Sequence, residues 1–185
     1  IDQETYDKIK HLNLTDSKAI NDDYINEIGQ FLRNNVKHLL LVLDNTTYNK
    51  IQKTTNQNKM KAMLHNQAFV NLSKMISLPK LTVIDQFTPE STYYKYLVNE
   101  KEVYRDLKFE TKAESKYLSV AVASIIARFA FNVSLMQMSK HYDFNFLSGA
   151  NKMVDNSAQE FIDRYGKSEL NNVAKVHFAN TKRLK

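Results

Sequence analysis

The 185-residue sequence predicts an α/β layer fold with a helical carboxyl-terminal section. Short apolar runs of strand length alternate with longer segments of helical spacing, which is the arrangement of an α/β protein. The chain contains only three Gly and two Pro, a composition that disfavours turn-dense sandwiches and barrels. With 43% apolar and 25% charged residues it can bury one core, so we expect a single domain over residues 1–185.

The first half of the chain predicts a helix, a strand and a second helix. Asn21 precedes two aspartates, a pattern typical of a helix start, and this helix should run to about Asn34. The apolar run Val36–Leu43 has the length of a strand buried on both faces. Apolar residues then follow helical spacing over Asn56–Ile76, which predicts a long crossover helix that Pro79 ends.

The second half predicts two more strands and a series of helices. Leu81–Ile84 is a short apolar run closed by Asp85, and Thr88-Pro89 resembles a helix start with proline at the first helical position. Val103–Phe109 alternates weakly, as a strand does. The remaining predicted elements are helices at Thr111–His141, Lys152–Tyr165 and Ser168–Val176, with Gly166 as a helix stop and Ser168 as the cap of the last helix.

Composition excludes several classes of site. Without cysteine there is no disulfide, thiolate zinc site or cysteine nucleophile, and the five histidines lack the short spacings of zinc ligands. A net charge of +6 suits a polyanionic partner without requiring one.

The longest apolar run, Val120–Phe131, is too short for a bilayer span, and no signal pattern is present, so we expect a cytoplasmic protein. Because the chain opens at Ile1 in a charged, helix-like segment, we interpret it as part of a longer one.

Two acidic residues are candidates for chemistry, and each has a structural alternative. Asp85 follows a buried strand, at the edge where open α/β sheets usually bind ligands, but it could equally be a turn or cap residue. Thr111-Lys112-Ala113-Glu114 fits a capping box, in which the glutamate bonds to its own helix's first amide. Taken alone, each residue fits the structural interpretation better.

The sequences around these acids resemble the type 2 ribonucleases H, and most of all ribonuclease HIII. The resemblance spans Leu14 to Thr181 and depends on five motifs in a fixed order. They are Asp16-Ser17-Lys18, Val83-Ile84-Asp85-Gln86-Phe87, Lys112-Ala113-Glu114-Ser115-Lys116-Tyr117, Ala123-Ser124-Ile125-Ile126-Ala127-Arg128 and His177-Phe178-Ala179-Asn180-Thr181.

The resemblance implies a ribonuclease H-like mixed sheet flanked by helices, and a metal-dependent endonuclease that cuts the RNA strand of RNA–DNA hybrids with Mg²⁺ or Mn²⁺. Four acids bind the metals in that family. Asp85 matches the third and Glu114 the fourth, and glutamate at the fourth place favours ribonuclease HIII over HII. The first two acids are an adjacent Asp-Glu pair, which this sequence lacks, since Asp2 and Glu4 are not adjacent and have no glycine context.

The missing pair affects the expected activity. Hydrolysis of a phosphodiester by two divalent ions about 3.5–4 Å apart needs several oxygen ligands. With two of four acids we expect weak metal binding and little or no hydrolysis by this chain alone. Two alternatives remain open. One is a non-catalytic nucleic-acid-binding module of the same fold, and the other is an unrelated α/β domain.

Four residues beside the motifs are candidate substrate contacts. Lys18, with Ser17 in the same motif, and Lys112 and Lys116 around Glu114 could bind phosphates of the nucleic acid, although each lysine could equally be an ordinary solvated side chain. Tyr93 and Tyr94 could stack on a base or pack onto the sheet. We expect a monomer that binds an RNA–DNA hybrid and no membrane.

Overall fold

The structure is a computed structural model that describes residues 1–12, 14 and 20–184. Its helices are α1 (Gln3–Ile9), α2 (Asp22–Asn35), α3 (Asn45–Gln52), α4 (Gln57–Met75), α5 (Glu90–Tyr96), α6 (Leu118–Tyr142), α7 (Lys152–Tyr165), α8 (Leu170–Val173) and α9 (Ala179–Lys182). Short 3-10 turns span Ala113–Ser115 and Lys167–Glu169. The strands β1 (Val83–Asp85) and β2 (Lys108–Glu110) form a parallel pair.

The chain divides into two compact units. Unit 1 comprises Ile1–Leu41 and Asn58–Asn132, and unit 2 comprises Val42–Gln57 and Val133–Lys185. Both strands and the 3-10 turn at Ala113–Ser115 belong to unit 1. Each unit has its own apolar core.

In unit 1, α4 and α5 support the strand pair. Ile84 in the middle of β1 is buried with Ala62 of α4 and with Tyr93 and Leu97 of α5. The ring of Tyr93 meets that of Phe109 in β2 edge-on, with centroids 5.2 Å apart. Tyr93 is fully buried, so its ring packs onto the sheet, as one of the two interpretations predicted. Apolar packing on this side fixes the direction of both strands.

Helices α2 and α6 form the second buried part of unit 1. Their largely buried apolar residues include Ile25, Ile28 and Leu32 of α2 and Val122, Ile125, Ile126 and Phe129 of α6. Arg128 of α6 donates to the carbonyl of Ile20 at 2.8 Å and forms an ion pair with Asp22 at the start of α2. Helix α6 has the length and apolar composition of a membrane span, but soluble core helices share both properties.

Unit 2 is organised by aromatic residues and one buried asparagine. Phe144, Phe161, Ile162, Leu170 and Val173 form its buried core. Asn49 of α3 donates to the carbonyls of residues 171 and 174, at 3.0 and 2.8 Å, and accepts from the backbone N–H of residue 176 at 3.1 Å. Unpaired buried polar groups are costly, so moving this segment away from Asn49 would break three hydrogen bonds at a cost in stability. The Asn49 side chain therefore fixes the segment that follows α8.

Several predicted elements are confirmed to within one or two residues. Asn21 caps α2 by accepting from the backbone N–H of Tyr24, and the helix ends at Asn35. Helix α4 lies within the predicted Asn56–Ile76 segment, and α7 has the predicted bounds. Gly166 follows α7 with φ 90°, a conformation that favours glycine, and its backbone N–H donates to Ile162.

The predicted strand over Val36–Leu43 is wrong for the part of the chain that the structure describes. Residues 37–44 form neither helix nor strand, and Val42 is 67% exposed rather than buried. A strand requires a neighbour for its backbone hydrogen bonds, and the two described strands pair with each other instead. Asp44, which we expected to end a strand, caps α3 by accepting from the backbone N–H of Thr47.

Three helix starts also differ from the prediction. Pro89 occupies the capping position of α5, so the helix begins one residue later, at Glu90. The long helix α6 begins at Leu118, and the separate 3-10 turn precedes it. Ser168 lies inside a 3-10 turn and caps nothing, because α8 begins only at Leu170 with Glu169 before it.

Gly29 in α2 allows a close approach of α6. A Cβ atom at this position would lie 2.4 Å from the Cβ and Cγ atoms of Phe129. Gly29→Ala should therefore lower the free energy of unfolding by about 1–3 kcal/mol, although alanine is the better helix former. Urea denaturation measures this change.

The matched control is Glu27→Ala, which adds no atoms on an exposed position of the same helix. It should change the free energy of unfolding by less than about 0.5 kcal/mol. Equal stability of Gly29→Ala and the wild type would show that α2 and α6 do not approach each other in this way.

Candidate functional site

The two strands end side by side at one edge of the pair. Asp85 lies opposite Glu110 in the parallel register. The ladder continues for one more step, because the backbone N–H of Gln86 donates to the carbonyl of Glu110 at 3.0 Å. Parallel strands direct their carboxyl ends the same way. Asp85 therefore lies at the carboxyl edge of the strands, as its place in the sequence predicts.

One hydrogen bond connects the end of β1 to the turn that follows β2. Oδ1 of Asp85 accepts from the backbone N–H of Ala113 at 2.8 Å. Ala113 is fully buried and is the first residue of the 3-10 turn, and Lys112 before it has φ 52° in the left-handed region. The chain reverses at Lys112, and the hydrogen bond fixes the turn against the strand.

Glu114 is the next residue of this turn and is half-buried. The Asp85 bond therefore brings the backbone of Glu114 to the end of β1, and the structure places both candidate acids in the same region. The capping-box interpretation put Glu114 in the first turn of the long helix, but that helix begins four residues later, at Leu118.

Glu110 is an acidic residue that the sequence analysis did not single out. Its carboxylate forms ion pairs with Lys116 and, at 3.4 Å, with Lys108. The hydrogen bond from Lys116 is the main reason that the pKa of Glu110 lies below its usual value. A signal was available, because Glu110 follows a predicted strand as Asp85 does, but β2 itself was predicted only weakly.

The lysines of this region have different surroundings. Lys116 pairs with Glu110, whereas Lys112 is exposed at the left-handed turn. Lys108 donates to the hydroxyl of Tyr117 at 2.8 Å and lies over its ring, 5.4 Å from the centroid. Ser17 and Lys18, the other two predicted substrate contacts, lie outside the described residues, as does Asp16 of the same motif.

Two residues of helix α4 contact Phe87, close to the end of β1. The ring of His65 lies 5.3 Å from that of Phe87, two residues after Asp85, and the ammonium of Lys61 lies 5.6 Å from the same ring. In the sequence, the five histidines were considered only as possible zinc ligands. The structure gives His65 an aromatic contact beside the candidate site.

The acids near the start of the chain have other partners. Asp2 caps α1 by accepting from the backbone N–H of Thr5, and Glu4 forms an ion pair with Lys8. Neither interaction involves the strand ends.

The two candidate acids offer the right type of ligand for a hard divalent cation, but too few ligands. Carboxylate oxygens are the ligands that Mg²⁺ and Mn²⁺ prefer. Asp85 and Glu114 supply them, but octahedral coordination takes six oxygens, and one oxygen of Asp85 already accepts from Ala113. Among residues 1–12, 14 and 20–184, no group of three or more His, Asp or Glu side chains could hold a metal ion.

Sequence comparison identifies similar proteins over almost the whole chain. The family model described as Ribonuclease HII matches residues 1–181. Curated proteins named ribonuclease HIII from Bacillus mycoides and Bacillus cereus are each 43% identical to this chain over 187 aligned residues. The alignments cover 99% of this chain and 60% of the relatives, so the chain spans less than two thirds of their length.

Solved structures show the same similarity. The crystal structure of Bst-RNase HIII in complex with Mn²⁺ superimposes with a TM-score of 0.94 and 39% identity, covering 98% of this chain and 60% of that one. The structure of Aquifex aeolicus RNase H3 gives a TM-score of 0.74 and 26% identity, with 96% and 63% coverage. The fold of this chain is thus that of a ribonuclease H-like α/β protein.

The Asp85–Ala113 hydrogen bond can be tested by two substitutions. Asp85→Asn keeps an oxygen that can accept from Ala113, whereas Asp85→Ala removes it. We expect Asp85→Ala to lower the free energy of unfolding by about 1 kcal/mol and Asp85→Asn by less. Urea denaturation and the hydrogen-exchange rate of the Ala113 amide measure the two effects.

Asp106→Ala is the matched control, because Asp106 is an exposed aspartate of the same unit. It should leave the Ala113 amide as protected as in the wild type. If Asp85→Ala also leaves that protection unchanged, Asp85 does not fix the turn.

Proposed function

This chain belongs to the ribonuclease HII family, and we propose that it is part of the catalytic domain of a ribonuclease HIII. In this proposal the whole protein is an endonuclease that hydrolyses the RNA strand of RNA–DNA hybrids with Mg²⁺ or Mn²⁺. The observation that supports it most is the hydrogen bond that joins Asp85 to the Glu114 turn. The relatives' name and the Mn²⁺ complex of Bst-RNase HIII agree with it.

Asp85 and Glu114 are the residues that would bind the metal. Divalent ions would supply activation of the attacking water and stabilisation of the leaving oxygen. The chain's own contribution is to orient the ligands: Ala113 donates to Oδ1 of Asp85 and so leaves Oδ2 for coordination. Ligands held by a backbone amide need less reordering than free side chains do, and this favours binding.

The two-acid set implies that this chain alone binds metal weakly and hydrolyses little. The resemblance places the other two acids in an adjacent Asp-Glu pair upstream of the Asp16-Ser17-Lys18 motif. The relatives are longer than this chain, which supports the proposal that such a pair belongs to the whole protein. Residues 1–185 are then one part of a ribonuclease H-like catalytic domain.

Basic residues beside the acids would bind the nucleic-acid backbone. We assign this role to Lys112 and Lys116 of the turn, together with Ser17 and Lys18. Lysine contacts to phosphate position a duplex without reading its sequence. The net charge of +6 favours such a partner. We further propose that the protein acts in the cytoplasm as a monomer.

A second candidate function is a non-catalytic module that binds hybrids with the same fold. The presence of only two of the family's four acids favours it. The coding frame upstream of Ile1 distinguishes the two candidates, because an Asp-Glu pair there supports the enzyme and a start codon directly before Ile1 supports the module.

Cleavage of a fluorescently labelled RNA–DNA hybrid tests the enzyme. In protein translated from the whole coding frame, Asp85→Asn and Glu114→Gln should each lower kcat by about 100-fold or more, because each removes the charge of a metal ligand. The measurement is the rate of cleavage in Mg²⁺ and, separately, in Mn²⁺.

Glu102→Gln is the control for loss of an acid. Glu102 is exposed and pairs with Lys74 of α4, so this variant should cleave at the wild-type rate. Undiminished cleavage by Asp85→Asn or by Glu114→Gln would remove that residue from the site.

A further inference from the structure

Glu110 lies at the centre of a cluster of four side chains at the end of β2. Its carboxylate pairs with Lys116 through one oxygen and with Lys108 through the other. Lys108 is in turn bound by the hydroxyl and ring face of Tyr117. Both lysines are thus fixed by specific partners.

The two ammonium groups remain accessible despite these contacts. The side chains of Lys108 and Lys116 are 50% and 48% exposed, whereas that of Glu110 is only 22% exposed. An ammonium has three N–H donors. The described contacts use two of them on Lys108 and one on Lys116. Donors of both lysines are therefore left for a ligand on the solvent side.

The cluster lies next to the candidate acids. Glu110 is opposite Asp85 in the strand register, and its carbonyl accepts from the residue that follows Asp85. Lys116 comes two residues after Glu114 in the chain. An anion that bridged the lysines would thus lie beside the end of β1.

We infer that Glu110 is a positioning residue that holds Lys108 and Lys116 as a pair for one backbone phosphate of the nucleic acid. This inference rests on the proposed function and adds Lys108, Glu110 and Tyr117 to it. A free lysine side chain loses much rotamer freedom when it binds. The contacts with Glu110 and Tyr117 restrict that freedom before the nucleic acid arrives.

If only net charge mattered, removing the charge of Glu110 should tighten binding to a nucleic acid. Glu110→Gln raises the net charge from +6 to +7, and added positive charge strengthens non-specific binding to a polyanion. A counter-ion without a positioning role would therefore weaken binding, and its loss would tighten it. Under our inference, the two lysine side chains lose their fixed positions, and this loss outweighs the added charge. Glu110→Gln therefore weakens binding.

The experiment measures binding of the protein translated from the whole coding frame to a short labelled RNA–DNA hybrid, by fluorescence anisotropy in EDTA and over about 50–200 mM salt. We expect Glu110→Gln to raise Kd by roughly three- to tenfold at low salt. Lys108→Met and Lys116→Met should each reduce the slope of log K against log salt by about 0.7–0.9, which corresponds to one phosphate contact. Adding Lys116→Met to Glu110→Gln should weaken binding less than Lys116→Met does in the wild type.

Glu102→Gln is the matched control, because it makes the same change of net charge and also releases a lysine from an exposed pair. It should leave Kd unchanged or slightly lower. Glu110→Asp retains the charge and should recover part of the affinity, which a purely steric or folding defect would not explain.

Two contrary results are distinguishable. If the wild type binds the hybrid and Glu110→Gln binds as tightly as Glu102→Gln, this inference is wrong and the proposed function stands. If the wild type fails to bind any hybrid even at low salt, the proposed function is overturned, and this inference with it.

Discussion

The candidate site depends on the hydrogen bond between the Asp85 carboxylate and the Ala113 backbone N–H. Its two ends lie on segments 28 residues apart in the chain. Without it, the turn that carries Glu114 would be held to the strands by the chain of β2 and by the contacts of Lys116 with Glu110 and of Tyr117 with Lys108. The bond uses one oxygen of a carboxylate whose other oxygen accepts no hydrogen bond from the described residues. One side chain can therefore fix the turn and offer a ligand to a cation.

The acids at the strand ends have two separate roles in this account. Asp85 and Glu114 are the proposed metal ligands, whereas Glu110 is engaged by two lysines. This division follows from local charge. A carboxylate held between Lys108 and Lys116 stays ionised to lower pH, as the lowered pKa of Glu110 indicates, but its attraction to a further cation is offset by the two ammonium groups. The two basic side chains thereby pair with Glu110 beside the candidate acids.

The sequence predicted those elements whose signals are local. Asn21 caps α2 through its own side chain, and Gly166 ends α7 through a backbone conformation that glycine favours, so each signal acts within one turn of helix. The strand predicted over Val36–Leu43 was wrong because a strand needs a neighbouring strand, which can be distant in the chain. Glu110 was missed because β2, which ends at Glu110, shows only a weak alternating pattern in the sequence. Its importance comes from pairing with β1 and with Lys116, and neither contact is visible in its local sequence.

The most direct measurement is anomalous scattering from Mn²⁺ in crystals of the protein translated from its whole coding frame. The account predicts a Mn²⁺ peak with carboxylate oxygens of Asp85 and Glu114 about 2 Å away, and with the Ala113 N–H still bound to Asp85. Mn²⁺ bound elsewhere, with the two carboxylates directed to opposite faces, would contradict it.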